Sequence, residues 1–195
     1  MVSPNLRDQI AFQAARLIVD SGLQDYALAK QKALKVLHLP DNSELPSNQE
    51  IEVKIKEYLL LFHNDTHADI LKSKRSEALN AMLFFEQFNP RLVGSVALGT
   101  ATEFSPLEIH IFTDSLKDVT EFCLAKDIPY RLLDRTIKLN KKTKLSIPLI
   151  CFIAGNNDVE LSVFENQNIR QSPLDPATGL VQKRISISQL QTMLS

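Results

Sequence analysis

Pro90-Arg91-Leu92-Val93-Gly94-Ser95-Val96-Ala97-Leu98-Gly99-Thr100-Ala101-Thr102-Glu103-Phe104-Ser105-Pro106-Leu107-Glu108-Ile109-His110-Ile111-Phe112-Thr113-Asp114 is the stretch on which the fold turns. Arg91 to Leu98 reads as a strand entering a glycine turn, and Pro106 to Asp114 reads as a strand with alternating faces. Successive side chains of a strand point to opposite sides. Leu107, Ile109 and Ile111 therefore share one face, and Glu108, His110 and Phe112 share the other.

Upstream of Pro90 the periodicity is helical. Leu6, Ile10, Ala14 and Leu17 recur at helical spacing until Gly22 ends the segment. Tyr26, Ala29, Ala33, Val36 and Leu37 repeat the pattern, and Pro40 stops it. Ser47 and Glu50 form a capping-box pair ahead of Ile51, Ile55, Tyr58, Leu59 and Phe62. A fourth helix is expected from about Asp65 or Thr66 to about Phe88, with Leu71, Ala78, Met82 and Phe85 as its apolar stripe. Phe84, Phe85 and Phe88 are read as packing the helical part against the sheet; a ligand pocket is the other reading.

Downstream, Ser115 caps a helix through Asp127, and strands are expected at about 130–138, 145–154 and 158–164. A proline-rich surface loop, Ser172 to Gly179, precedes a last short helix opened by a second capping box, Ser186 and Gln189. Helices first and a mixed region second argue for an α+β fold. The expected organisation is a helical region, 1–89, packed on a mixed-sheet domain, 90–195.

Composition bounds the function classes. Apolar residues are 44% and charged residues 23% of 195, ordinary for a globular chain, and the net charge is −1. No overall field draws the protein to nucleic acid or to a membrane. No apolar run approaches the ~18 residues that a spanning helix needs. The first ten residues lack the basic-then-apolar order of a signal peptide. Cys123 and Cys151 each sit in an apolar run, as buried free thiols of a reducing compartment do. A cytoplasmic protein without membrane partners is the expectation.

The segment from Gly94 to Ile109 resembles the signature of the nucleotidyltransferase fold, the DNA polymerase β-like superfamily. That signature is a Gly-Ser pair opening a helix, a second glycine about five residues on, and Ser-Asp-x-Asp on a strand, with a third acid on a neighbouring strand. Gly94, Ser95, Gly99 and Ser105 match the phosphate-binding part, and Glu160 in Asp158-Val159-Glu160-Leu161 matches the third acid. The resemblance covers about residues 90–165. It implies a turn that holds a nucleoside triphosphate on backbone N–H groups. It also implies acids that hold two Mg²⁺ or Mn²⁺ ions roughly 3.5–4 Å apart. Glu108 and Glu160 are the metal-ligand candidates, and Glu108, Glu160 and His110 the catalytic ones.

The pattern departs at the first acid, which is Pro106. The second is Glu108, one methylene longer than aspartate. His110 follows on the same face, but imidazole suits Zn²⁺ better than Mg²⁺. The resemblance therefore implies a catalytically degenerate nucleotidyltransferase-like protein that binds a nucleotide or phosphate ligand, or a protein partner. The alternative is an active transferase with an altered carboxylate set, in which Asp158, on the face of Glu160, supplies the missing charge.

Plain readings stand beside these. Glu108 and Glu160 also read as solvent-facing strand residues, and His110 as a polar residue on a half-exposed face. His63 and His67, four apart, read as a loop rather than a metal pair. Lys138, Lys141, Lys142 and Lys144 read as a solvated turn, as do Lys72, Lys74 and Arg75 as a solvated helix face; an RNA phosphate is the other reading for both clusters.

Overall fold

The structure is a computed structural model and describes residues 5–140, 142–176 and 178–195. Five strands form one mixed sheet in the order β1-β2-β5-β4-β3. They are β1 (Arg91–Leu92), β2 (Leu107–Phe112), β3 (Arg131–Lys138), β4 (Lys144–Ala154) and β5 (Asn157–Phe164). β3, β4 and β5 make an antiparallel meander, β2 lies parallel to β5, and β1 is antiparallel to β2. A parallel neighbour needs a crossover. Here the chain between β2 and β5 supplies a helix and the first two strands of the meander.

Among the described residues there are seven α-helices: α1 (Leu6–Ser21), α2 (Tyr26–Val36), α3 (Asn48–Phe62), α4 (Asn64–Phe84), α5 (Gly94–Leu98), α6 (Leu116–Ala125) and α7 (Ile187–Leu194). The protein is α+β, with its N-terminal helices ahead of the sheet, as the periodicity requires. No helix among the described residues is long and apolar enough to cross a membrane.

The chain forms two compact units, one built on the chain up to Ile70 and one from Leu71 onward, with two short later segments grouped with the first. The division falls inside α4 rather than at Pro90, where the sequence texture changes. The reason is packing: Ala78, Met82, Phe85 and Phe88 belong to the core of the sheet, not to that of the first helices.

In the first unit α1, α2 and α3 bury Ile10, Ala14, Ala33, Ile51, Ile55 and Leu59 together. Asn5, Asp25 and Ser47 cap the three helices, and the Ser47–Glu50 box is complete in both directions. Tyr58 Oη donates to Asp20 Oδ2 at 2.8 Å. His63 is the C-cap of α3, its Nε2 3.5 Å from Asp20 Oδ1, and His67 lies in α4 with its N–H on the His63 carbonyl at 2.7 Å. The loop expected for this pair is replaced by two helices that meet almost end to end.

In the second unit one face of the sheet carries the main core. Leu107, Ile109 and Ile111 of β2 meet residues of α4 and α5, with Val119 and Cys123 of α6 and Leu190 of α7. The Ser186–Gln189 box caps α7 as expected. Phe84, Phe85, Phe88 and Phe122 pack with neighbouring ring centroids 5.3–6.4 Å apart, and Phe84 is half-exposed as well. The α4 helix stops at Phe84, and Glu86–Phe88 continue it as a 3-10 turn. Cys123 is buried as expected, but Cys151 is only half-buried, because it lies on the other face of the sheet, beside Glu160.

Candidate functional site

The second face of the sheet carries the candidate residues. The parallel register sets Glu108 beside Glu160, His110 beside Ser162 and Phe112 beside Phe164. Arg135, on edge strand β3, reaches across to both acids. Its Nη2 is ion-paired with Glu160 Oε2, and its Nη1 stands 3.7 Å from Glu108 Oε2. The three side chains are only 25–30% exposed, so this is not a solvated surface pair. Glu108 and Glu160 are thus neither freely solvent-facing nor open to each other.

Glu108 also leans on the glycine turn. Gly94 has φ +69°, in the region where side chains are strained, and a Cβ there would overlap Glu108 Oε1 and lie 2.7 Å from its Cδ. The Val93 N–H donates to the Glu108 carbonyl at 3.0 Å, which ties the turn to β2. Gly99 (φ +79°) closes α5 in the left-handed conformation, and its N–H and that of Thr100 both fall on the Ser95 carbonyl. Ser95 itself is half-buried.

The remaining matched residue, Ser105, has its carbonyl held by Lys74 Nζ at 2.7 Å, and the same ammonium donates to Asn157 Oδ1 at 2.7 Å. Lys74 is therefore a buried clamp on the starts of β2 and β5, not a phosphate contact. Arg75 is half-buried and donates to the Val96 carbonyl at 3.4 Å, and Lys72 is exposed. Of the lysine turn, Lys142 and Thr143 donate their N–H groups to Asn140 Oδ1, and Lys141 lies outside the described residues.

His110 is 3% exposed, not on a half-exposed face. Its Nδ1 accepts from Arg184 Nε at 3.1 Å, and its ring centroid lies 4.5 Å from that of Phe164. Burial presses its pKa well below the usual histidine range, and Arg184 and Arg135 press it further. The imidazole is neutral near pH 7 and one of its nitrogens is already engaged. Arg184 lies 4.9 and 5.0 Å from the Phe112 and Phe164 centroids, and its Nη1 donates to the carbonyls of Asn168 and Ile169. Burial lowers its own pKa to about 10, with Arg91 adding to the effect. Its Nη2 is buried with no hydrogen-bond partner among the described residues.

Glu108 has its carboxyl pushed up to about 7, chiefly by burial, with Arg135 pulling the other way and Glu160 and Asp175 adding to the rise. The proton is held more tightly in the folded chain than in the unfolded one. The stability this group contributes is full below about 4.5, falls as pH rises and is gone above about 7. Glu108→Gln is expected to remove that loss. Urea unfolding at pH 5 and pH 8 should show the variant near wild type at pH 5 and more stable by up to about 2 kcal/mol at pH 8. Equal wild-type and variant slopes with pH would rule the assignment out.

The donor set does not suit the two-metal centre that the resemblance implies. The first acid position is Pro106, just before β2; Glu108 binds a proton near neutrality; and the Arg135 guanidinium occupies the charge of the pair. Asp158 is exposed on β5 opposite Ile153, and no group of three His, Cys, Asp or Glu among the described residues is placed to hold an ion. On the other face of the sheet an open cavity of about 580 Å³ is lined by Phe84, Phe85, Leu107, Ile128 and Phe152. Leu107 and Phe152 alternate with Glu108 and Cys151, so this cavity and the acid pair lie on opposite faces.

Sequence reasoning singled out Glu108, Glu160 and His110, and the fold brings them onto one face. It missed Arg135 and Arg184, which complete the electrostatics from β3 and from the segment before α7. Alternation within β3 was the one available signal, since it sets Arg135 on a face with Arg131 and Leu133. In comparisons with known proteins, no family model, no curated protein and no solved structure matches this chain.

Proposed function

We propose that the chain is a nucleotidyltransferase-like protein that has given up nucleotidyl transfer and works by binding a protein partner. The observation that carries this reading is the Glu108 side chain lying on Gly94. The protein's own carboxyl lies against the turn that would cradle a phosphate, and it repels an anion whenever it is ionised. His110 adds support: as a neutral imidazole with Nδ1 engaged, it is a weak base near pH 7. Edge strand β3 supports the partner half of the reading. It runs for eight residues, and Leu132 and Leu133 are about half-exposed. Such an edge offers unpaired backbone groups and apolar side chains to an added strand.

Calorimetry with ATP, CTP, GTP and UTP, each with Mg²⁺, with Mn²⁺ and with EDTA, tests the proposal. The expected result is no metal-dependent heat for any nucleotide. Metal-dependent binding that disappears in Glu108→Ala would overturn it in favour of an active transferase. Binding that survives EDTA would replace the protein partner with a phosphate ligand.

A further inference from the structure

We infer that Arg135 is the resident cation of this site: its guanidinium stands in for a metal ion between Glu108 and Glu160, and the two acids accept a divalent cation only when it is removed. The inference rests on the degenerate reading above and extends it to the question of what holds the acid pair together.

Glu108 and Glu160 are paired residues of adjacent parallel strands, so their Cα atoms are about 4.8 Å apart and both carboxyls rise from one face. Two carboxyls so close on a partly desolvated face repel each other, and the pair is relieved either by a proton on one of them or by a positive charge beside both. A divalent ion would meet this need with oxygen contacts at about 2.0–2.6 Å. Here the need is met by a cation tethered to the fold. Arg135 crosses from β3 and gives one terminal nitrogen to each acid. A guanidinium suits this bridging because it is planar, always charged and presents its donors in a fixed fork. A lysine ammonium has a single head and serves one acid at a time, but its tethered charge still opposes a divalent ion.

Chain geometry makes the arrangement permanent. Arg135 sits in the middle of a strand paired over its whole length with β4, from Arg131↔Cys151 to Lys138↔Lys144. The root of the side chain cannot swing away without breaking the ladder. An incoming ion would have to displace a tethered charge while losing its own water, which Mg²⁺ gives up reluctantly.

The test is a manganese titration followed by electron paramagnetic resonance, in which only free Mn²⁺ gives the sharp six-line signal. Four proteins are compared: wild type, Arg135→Met, Arg135→Lys, and Arg135→Met with Glu160→Gln. Wild type and Arg135→Lys are expected to leave the signal unchanged up to millimolar Mn²⁺. Arg135→Met is expected to take up Mn²⁺ at least about tenfold more tightly than wild type, and the double variant to lose that uptake. If Arg135→Met does not fold, Arg135→Gln, which keeps a planar donor, takes its place.

Uptake by Arg135→Met no tighter than by wild type overturns the inference while leaving the degenerate reading intact. Paramagnetic broadening of the 107–111 and 159–162 amide resonances in the wild-type protein overturns it directly. Metal-dependent nucleotide binding in the calorimetry above is a separate result, and it would bring down the functional reading whatever Arg135→Met does.

Discussion

Gly94→Ala is expected to destabilise the sheet-containing unit by about 3 kcal/mol. Two costs add. A non-glycine residue at φ +69° carries backbone strain of roughly 1–2 kcal/mol. The new methyl group also claims the space of the Glu108 carboxyl, and it stands only 3.3 Å from Glu108 Cβ. Glu108 must rotate away, and Arg135 then keeps Glu160 alone. The two costs separate in a double-mutant cycle with Glu108→Ala. In that background the overlap is gone, and Gly94→Ala should cost only the backbone share, about 1–2 kcal/mol. Chemical denaturation of the four proteins measures this. Equal costs in both backgrounds would mean that the carboxyl does not rest on the turn, and the observation behind the proposed function would fail with it.

Arg184→Ala should be comparably severe, also about 3 kcal/mol. The guanidinium supplies donors to two carbonyls of the 3-10 turn Asn166–Arg170, a donor to His110 Nδ1, and a cation over two aromatic rings. Charged hydrogen bonds are worth roughly 1.5–3 kcal/mol each and a partly buried cation–π contact about 0.5–2. These do not sum, because the buried Nη2, with no partner among the described residues, already offsets part of the gain. Arg184→Lys should recover less than half, since one ammonium cannot serve three separated acceptors. His110 provides a second readout. Removing Arg184 takes away one cause of its depressed pKa and part of its cover, but leaves the burial provided by the rest of the fold, the larger cause. Its imidazole should titrate higher in Arg184→Ala by NMR, yet still below the ordinary histidine range. An unchanged titration would show that Arg184 does not polarise this ring.

These two arginines mark where sequence reading stopped. The strands expected at about 130–138, 145–154 and 158–164 are found at Arg131–Lys138, Lys144–Ala154 and Asn157–Phe164. Their signals are local: alternation, β-branched residues, and the turns Leu139–Thr143 and Gly155–Asn156. Both capping boxes were legible for the same reason, since each lies within four residues of chain. The pairing of Glu108 with Glu160 depends on a parallel crossover, and no local signal encodes which strands become neighbours. Arg135 drew no reading from the sequence, because its partners lie on strands it does not adjoin. Arg184 drew none either, because His110, Asn168 and Ile169, its partners, lie 15 to 74 residues away. His110 was read as half-exposed because alternation gives a face but not what covers it. Part of the cover comes from Phe164 and Arg184, two parts of the chain distant from β2. Lys74 was misplaced in a solvated cluster because its burial depends on Ser105 and Asn157, which lie about 30 and 80 residues away.

The crossover between β2 and β5 also dictates an order of assembly. The meander β3–β4–β5 closes through neighbours in sequence and can form early, whereas β2 must wait for a strand about fifty residues further along before it has a parallel mate. Arg184 arrives later still. On a ribosome releasing the chain from its N-terminus, the first helices are made and able to fold well before Glu108 can meet Glu160. Until that meeting, the edge of β2 that pairs with β5 has no partner. This is the stage at which the newly made protein is most open to aggregation or chaperone capture.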